Sequence, residues 1–129
     1  MRRRISALLL LVLVSFLLSA CGYKTFDFSG ESDNWTGELK VTQTEDEWEE
    51  QELKLQYKGN DVNSVGEIEY NVETNAGGFG GSGLTLEENG TFKASKEANP
   101  TNAKIIEEAE VVVTIEWNGH TETIILNIN

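Results

Sequence analysis

The stretch VVVTIEWNGHTETIILNI (Val111–Ile128) decides the fold. Asn118-Gly119 is the dipeptide favoured by a two-residue type I′ turn, in which both central residues take positive φ. Such a turn pairs Trp117 with His120, Val113 with Ile124 and Val111 with Leu126, and in that register the apolar side chains share one face. Val112 and Ile125 pair on the other face, which predicts a central hairpin covered on both sides.

The same period of two runs back through the chain. Glu67 to Thr74 places Ile68, Tyr70 and Val72 on one face and Glu67, Glu69, Asn71 and Glu73 on the other. Glu49 to Lys58 sets Leu53, Leu55 and Tyr57 against Glu52, Lys54 and Gln56. Thr36 to Thr44 sets Leu39 and Val41 against Glu38, Lys40 and Thr42, and Tyr23, Phe26 and Phe28 suggest a first extended segment. Around Asn89-Gly90, a loop over Glu87 to Thr91 pairs Leu86 with Phe92 and Leu84 with Ala94, which keeps their facing consistent. Asn99-Pro100 is the one helix signal after the N-terminal segment, a short turn reaching Ile105 and Ile106. Short antiparallel strands in one small domain predict an all-β fold: a two-sheet sandwich of immunoglobulin-like architecture spanning residues 21–129. The paired cysteines of antibody domains are missing, so the likeness is one of architecture.

The first 20 residues have another character. Met1-Arg2-Arg3-Arg4 is basic, Ile5 to Leu18 is apolar apart from Ser6 and Ser15, and small residues follow. That apolar run of 14 residues is shorter than the roughly 20 that span a bilayer, so the segment predicts a cleaved signal peptide, helical while apolar. It closes on Leu18-Ser19-Ala20-Cys21, which resembles the lipobox of bacterial lipoproteins. The resemblance implies cleavage between Ala20 and Cys21, a diacylglyceryl thioether on the Cys21 sulfur, and acylation such as palmitate at the new amino terminus. One acyl chain anchors a protein marginally and two or more hold it stably. The expected location is therefore the extracytoplasmic side of the cell membrane, held by the lipid anchor. Phe26 to Val41 (FDFSGESDNWTGELKV) and Ile115 to Ile128 (IEWNGHTETIILNI) are similar to the two ends of small lipoproteins of Bacillus and its relatives. Those proteins are mostly of unknown function, so the resemblance implies fold and location and no activity.

From Cys21 onward, seven Lys stand against 22 Asp and Glu, a formal charge of −15. Such a surface repels nucleic acid and attracts cations or basic protein patches. The segment TEDEWEEQE (Thr44–Glu52) gathers six acidic residues around Trp48. It lacks the spacing of a calcium loop and predicts a solvated acidic hairpin whose Trp48 is a contact for a basic envelope protein or a cation-bearing partner. The segment AGGFGGSG (Ala76–Gly83) has five glycines in eight residues but no P-loop ending, which predicts a mobile inter-strand loop with Phe79 either tucked under it or exposed at its tip, where it would be a partner contact. His120 is the single histidine, and its place opposite Trp117 accounts for it structurally. No catalytic residue, metal ligand set or cofactor motif stands out, so the expected function is a non-catalytic binding or accessory module. Two alternatives stay open: a glycan hydrolase working through two carboxylates, and a surface protein that binds divalent cations.

Overall fold

The computed structural model describes residues 22–129. The expected signal peptide, the cleavage position at Ala20 and the lipidation position Cys21 lie outside the described residues. Eight strands follow in order: β1 (Tyr23–Glu31), β2 (Trp35–Thr44), β3 (Glu49–Tyr57), β4 (Glu67–Thr74), β5 (Gly77–Thr85), β6 (Thr91–Ala98), β7 (Val111–Trp117) and β8 (His120–Ile128). They form one hydrogen-bonded sheet in the order β5-β4-β7-β8-β1-β2-β3-β6, antiparallel at every step.

Alternation sets the core. Phe26 and Phe28, Trp35, Leu39 and Val41, Leu53 and Leu55, Ile68, Tyr70 and Val72, Val111, Val113 and Ile115, Ile124 and Leu126 are all buried in one cluster. Asn118 and Gly119 take φ of 47° and 78°, and the register across them is Trp117↔His120, Val113↔Ile124 and Val111↔Leu126. The hairpin is central in the sheet, but its outer face is open, with Ile125 40% exposed.

β8 joins the two halves. It pairs with β7 from His120 to Leu126, then takes up β1 through Asn127 and Ile128. The edges β5 and β6 are consecutive in the chain but stand at opposite ends of the strand order. Five residues, 86–90, connect them and reach at most roughly 20 Å, whereas seven strand spacings of about 4.8 Å come to roughly 34 Å. The sheet therefore curls until its edges approach, and the result is nearly a barrel. Side chains bridge the seam: Tyr70 and Phe92 rings lie 5.0 Å apart, and Lys96 Nζ donates to the Gly78 carbonyl at 3.0 Å.

Three local expectations are corrected. The glycine stretch is a strand and not a loop: β5 pairs along β4 from Glu67↔Thr85 to Thr74↔Gly77, with a bulge opposite Glu69. A Cβ on Gly78 or Gly80 would lie 2.1 Å from Val72 O or 2.4 Å from Tyr70 O, so the close approach of β4 requires glycine at both. The turn at Glu87 to Thr91 forms, with Glu87 N donating to Thr91 O, but Leu86 and Phe92 do not pair. β6 instead lies along β3, where Ala94 meets Leu53 and Phe92 meets Leu55. After Asn99-Pro100 the chain makes one turn, closed by Asn102 N on Asn99 O, and no helix follows. Side chains of Asn99 and Asn102 take backbone donors there, which competes with helix formation. A 3-10 turn forms elsewhere, at Val62–Ser64.

Candidate functional site at the acidic hairpin

The β2–β3 connection is a tight hairpin held at its neck. Thr44 N donates to Trp48 O at 2.9 Å, Glu47 N to Thr44 O at 3.1 Å, and Trp48 N to the Thr44 hydroxyl at 3.2 Å. Glu47 takes a positive φ of 67° to close the turn. Glu45, Asp46, Glu47 and Glu50 are exposed around Trp48, itself 45% exposed. Beside the indole lies a notch of about 310 Å³, walled by Gln43, Glu47, Pro100, Asn102 and Lys104.

The root of this hairpin is polar and buried. Glu49 is 2% exposed. Its carboxylate accepts from Gln43 Nε2 and Gln51 Nε2, both at 2.7 Å, and from Ile105 N at 3.0 Å, while Gln43 Nε2 also donates to Ile105 O at 2.8 Å. A buried carboxylate is tolerated when its oxygens are filled by donors, and here three fill them. The network fastens the segment after Pro100 to the hairpin, and Asn75 fastens the same segment to the β4–β5 turn through Lys104 O and Ile106 N. The solvated acidic hairpin is thus an exposed aromatic tip on a fixed base.

Phe79 sits elsewhere, on β5 and half-buried, edge-on to Tyr70 at 6.2 Å with Lys96 Nζ 5.9 Å from its ring. It does not crown a loop, and no described contact joins it to Trp48. The other two tryptophans belong to the core: Trp35 is fully buried, 5.3 Å from Tyr57 and 5.4 Å from Trp117. His120 lies against Trp117 at 5.3 Å on an exposed turn.

Two further polar features were not singled out from sequence. Glu122, on β8, ties down the β1–β2 turn by accepting from Ser32 Oγ at 2.6 Å, Asn34 N at 2.9 Å and Asn34 Nδ2. Partial burial works to raise its pKa, but those hydrogen bonds and the nearby His120 outweigh it and hold the carboxyl below the ordinary value. The second feature is a broad hollow of about 680 Å³ on the outer face of β1-β2-β3-β6. Its walls carry Asp27, Glu38 and Glu52 interleaved with Lys40, Lys54 and Lys93, in cross-strand rows Asp27–Lys40–Glu52 and Glu38–Lys54–Lys93.

The signal for Glu49 and Gln51 was present: they continue the inward face of Leu53 and Leu55 at the same period. Nothing in the sequence places Gln43, Asn75 or Ile105 beside them, because those contacts arise from the fold. Among the described residues no three of His, Cys, Asp and Glu gather as metal ligands would, and no helix is long and apolar enough to cross a membrane. Compared with protein-family models, with curated proteins and with solved structures, the chain matches none.

Proposed function

We propose that this chain is a membrane-anchored extracytoplasmic lipoprotein, attached through lipid on Cys21 after cleavage at Ala20, and that its domain is a non-catalytic binding or accessory module for a basic partner. The observation that carries the binding reading is the Trp48 hairpin: an aromatic side chain 45% exposed among exposed carboxylates, on a base fixed by buried Glu49. An ordered tip costs little entropy on association, and an indole flanked by carboxylates suits lysine or arginine side chains through apolar, cation–π and ionic contact. The anchor reading rests on the basic start, the short apolar run and Leu18-Ser19-Ala20-Cys21. The scaffold is a two-layer, immunoglobulin-like sandwich, with β5-β4-β7 facing β1-β2-β3-β6 and β8 shared between them. What supports the two layers is that β8 leaves β7 at Leu126 and joins β1 from Asn127.

The test is cross-linking of a tagged, lipidated copy in bacterial cells, followed by mass spectrometry of what co-purifies. A reproducible basic envelope protein, lost on Trp48→Ala, is the expected result; recovery undiminished by that change removes the hairpin from the reading. In parallel, Cys21→Ala is expected to lose fatty-acid labelling and leave the membrane fraction, and a variant still held there breaks the anchor reading.

A further inference from the structure

We infer that the free edge of β5 is a docking edge for an extended, basic strand from a partner protein, which would add to the sheet beside β4. The inference rests on the reading of the domain as a binding module for a basic partner and names a second surface for it.

Each of the other seven strands carries charged side chains, whereas Gly77–Thr85 carries none, in a chain with 25% charged residues. Edge strands are ordinarily guarded by charge, proline or a covering element, because their unpaired N–H and C=O groups template further pairing. β5 has neither charge nor proline, most of it is exposed, and among the described residues the one hydrogen bond across its free edge is from Lys96 Nζ to Gly78 O. What guards it across the seam is one flexible side chain, Lys96 of β6, which also lies 5.9 Å from the Phe79 ring, so the edge opens to strand addition where that side chain swings away.

The neighbouring side chains select the occupant. The outer face of β5 is bare at Gly78 and Gly80, where the approach of β4 excludes a Cβ. Across the ladder Glu73 stands opposite Gly78 and Asn71 opposite Gly80, with Glu69 at the bulge and Glu67 opposite Thr85, all exposed on the outer face of β4. A hollow of about 400 Å³ at the bulge is walled by Glu67, Glu69 and Glu116 with Ser82, and no lysine lines it. A strand added to β5 lies about 9–10 Å from β4, and where Gly78 and Gly83 leave no side chain in the way long cations on the added strand reach Glu73 and Glu69. On the inner side, half-buried Phe79 and Leu84 call for apolar residues at alternate positions. The occupant is therefore an extended segment alternating Lys or Arg with apolar residues. A second copy of this chain fits less well, because its own β5 carries no cation to meet the β4 glutamates.

The experiment uses the full chain, isotope-labelled, in neutral detergent micelles, titrated with a hexapeptide alternating lysine and valine and, separately, with its glutamate–valine counterpart. Amide shifts confined to 77–85 with the basic peptide are expected. Glu69→Lys with Glu73→Lys is expected to weaken that peptide by about tenfold or more and to admit the acidic one, since both positions are exposed and their charge is reversed. Lys96→Ala, which frees the Gly78 carbonyl and removes a like charge, is expected to tighten the basic peptide about two- to threefold. Shifts at the Trp48 hairpin with none on β5 overturn the edge while leaving the hairpin reading intact, and shifts at neither overturn both. Concentration-dependent shifts on β5 without peptide overturn it in favour of a second copy, and insensitivity to the double charge reversal overturns the basic character of the occupant.

Discussion

Glu122 shows what one polar side chain does when the fold gives it several donors. Its hydrogen bonds to Ser32 and Asn34 form when it is ionised, so the folded state holds its carboxyl below the ordinary value of 4.5. A carboxyl depressed on folding contributes stability that is present above its unfolded pKa and lost as pH falls through the folded one. Stability should therefore decline as pH drops below about 4.5, and in Glu122→Ala that part of the decline should be missing. At pH 7 the same variant should lose about 1–2 kcal/mol, because Ser32 and Asn34 donors lose a charged acceptor at a half-exposed site. Denaturant melts of both proteins from pH 7 to pH 3 measure this; parallel curves would mean that the cluster adds nothing specific.

Among the elements, β5 is the one whose character depends on atoms that are absent. Gly80→Ala adds a methyl group into Tyr70 O at 2.4 Å, so the β4–β5 ladder must open locally. The expected cost is about 1–3 kcal/mol, the range for overpacking, with amide protection lost from Gly77 to Thr85. A glycine in a free loop would give a change within about 0.5 kcal/mol, so thermal melting of this one variant decides between strand and loop. The contrast also explains what the sequence could and could not disclose. The hairpin at Asn118-Gly119 was legible to the register because its turn chemistry and its alternation agree. β5 was not, because alternation is read from side chains and five of its nine residues have none. The partner of β6 was not legible either: a local hairpin and the edge of β3 both satisfy its facing, and only the packing of Leu53 and Leu55 against Ala94 and Phe92 chooses. At the candidate site the exposed Trp48 tip was read from composition, and its buried base at Glu49 was available from phase but hidden by an acidic neighbourhood.

For the whole molecule the question is whether its charges hold it together or push it apart. The described domain has 22 acidic residues and seven lysines, and the ion pairs among them are Lys24–Glu107 at 2.9 Å and Lys58–Glu31 at 2.8 Å, both exposed. Exposed pairs contribute little, and of the cross-strand rows Lys40 lies between Asp27 and Glu52 while Lys54 meets Glu38 on one side and Lys93 on the other, so its row gains less. Against these stand about fifteen uncompensated carboxylates wrapped around one core, whose repulsion is long-ranged when salt is low. The screening length falls from about 30 Å at 0.01 M salt to about 8 Å at 0.15 M, which removes most repulsion between distant carboxylates and less of the attraction between neighbours. Repulsion should therefore dominate the balance, and adding sodium chloride over that range should raise the melting temperature, by about 4–8 °C for each 1 kcal/mol relieved in a domain of this size. A melting temperature that falls with salt would mean the local pairs and rows outweigh the net charge. Salt-induced stabilisation would instead identify the acidic surface as a cost carried by the folded domain, one that a basic partner seated on Trp48 or along β5 would relieve in the same way.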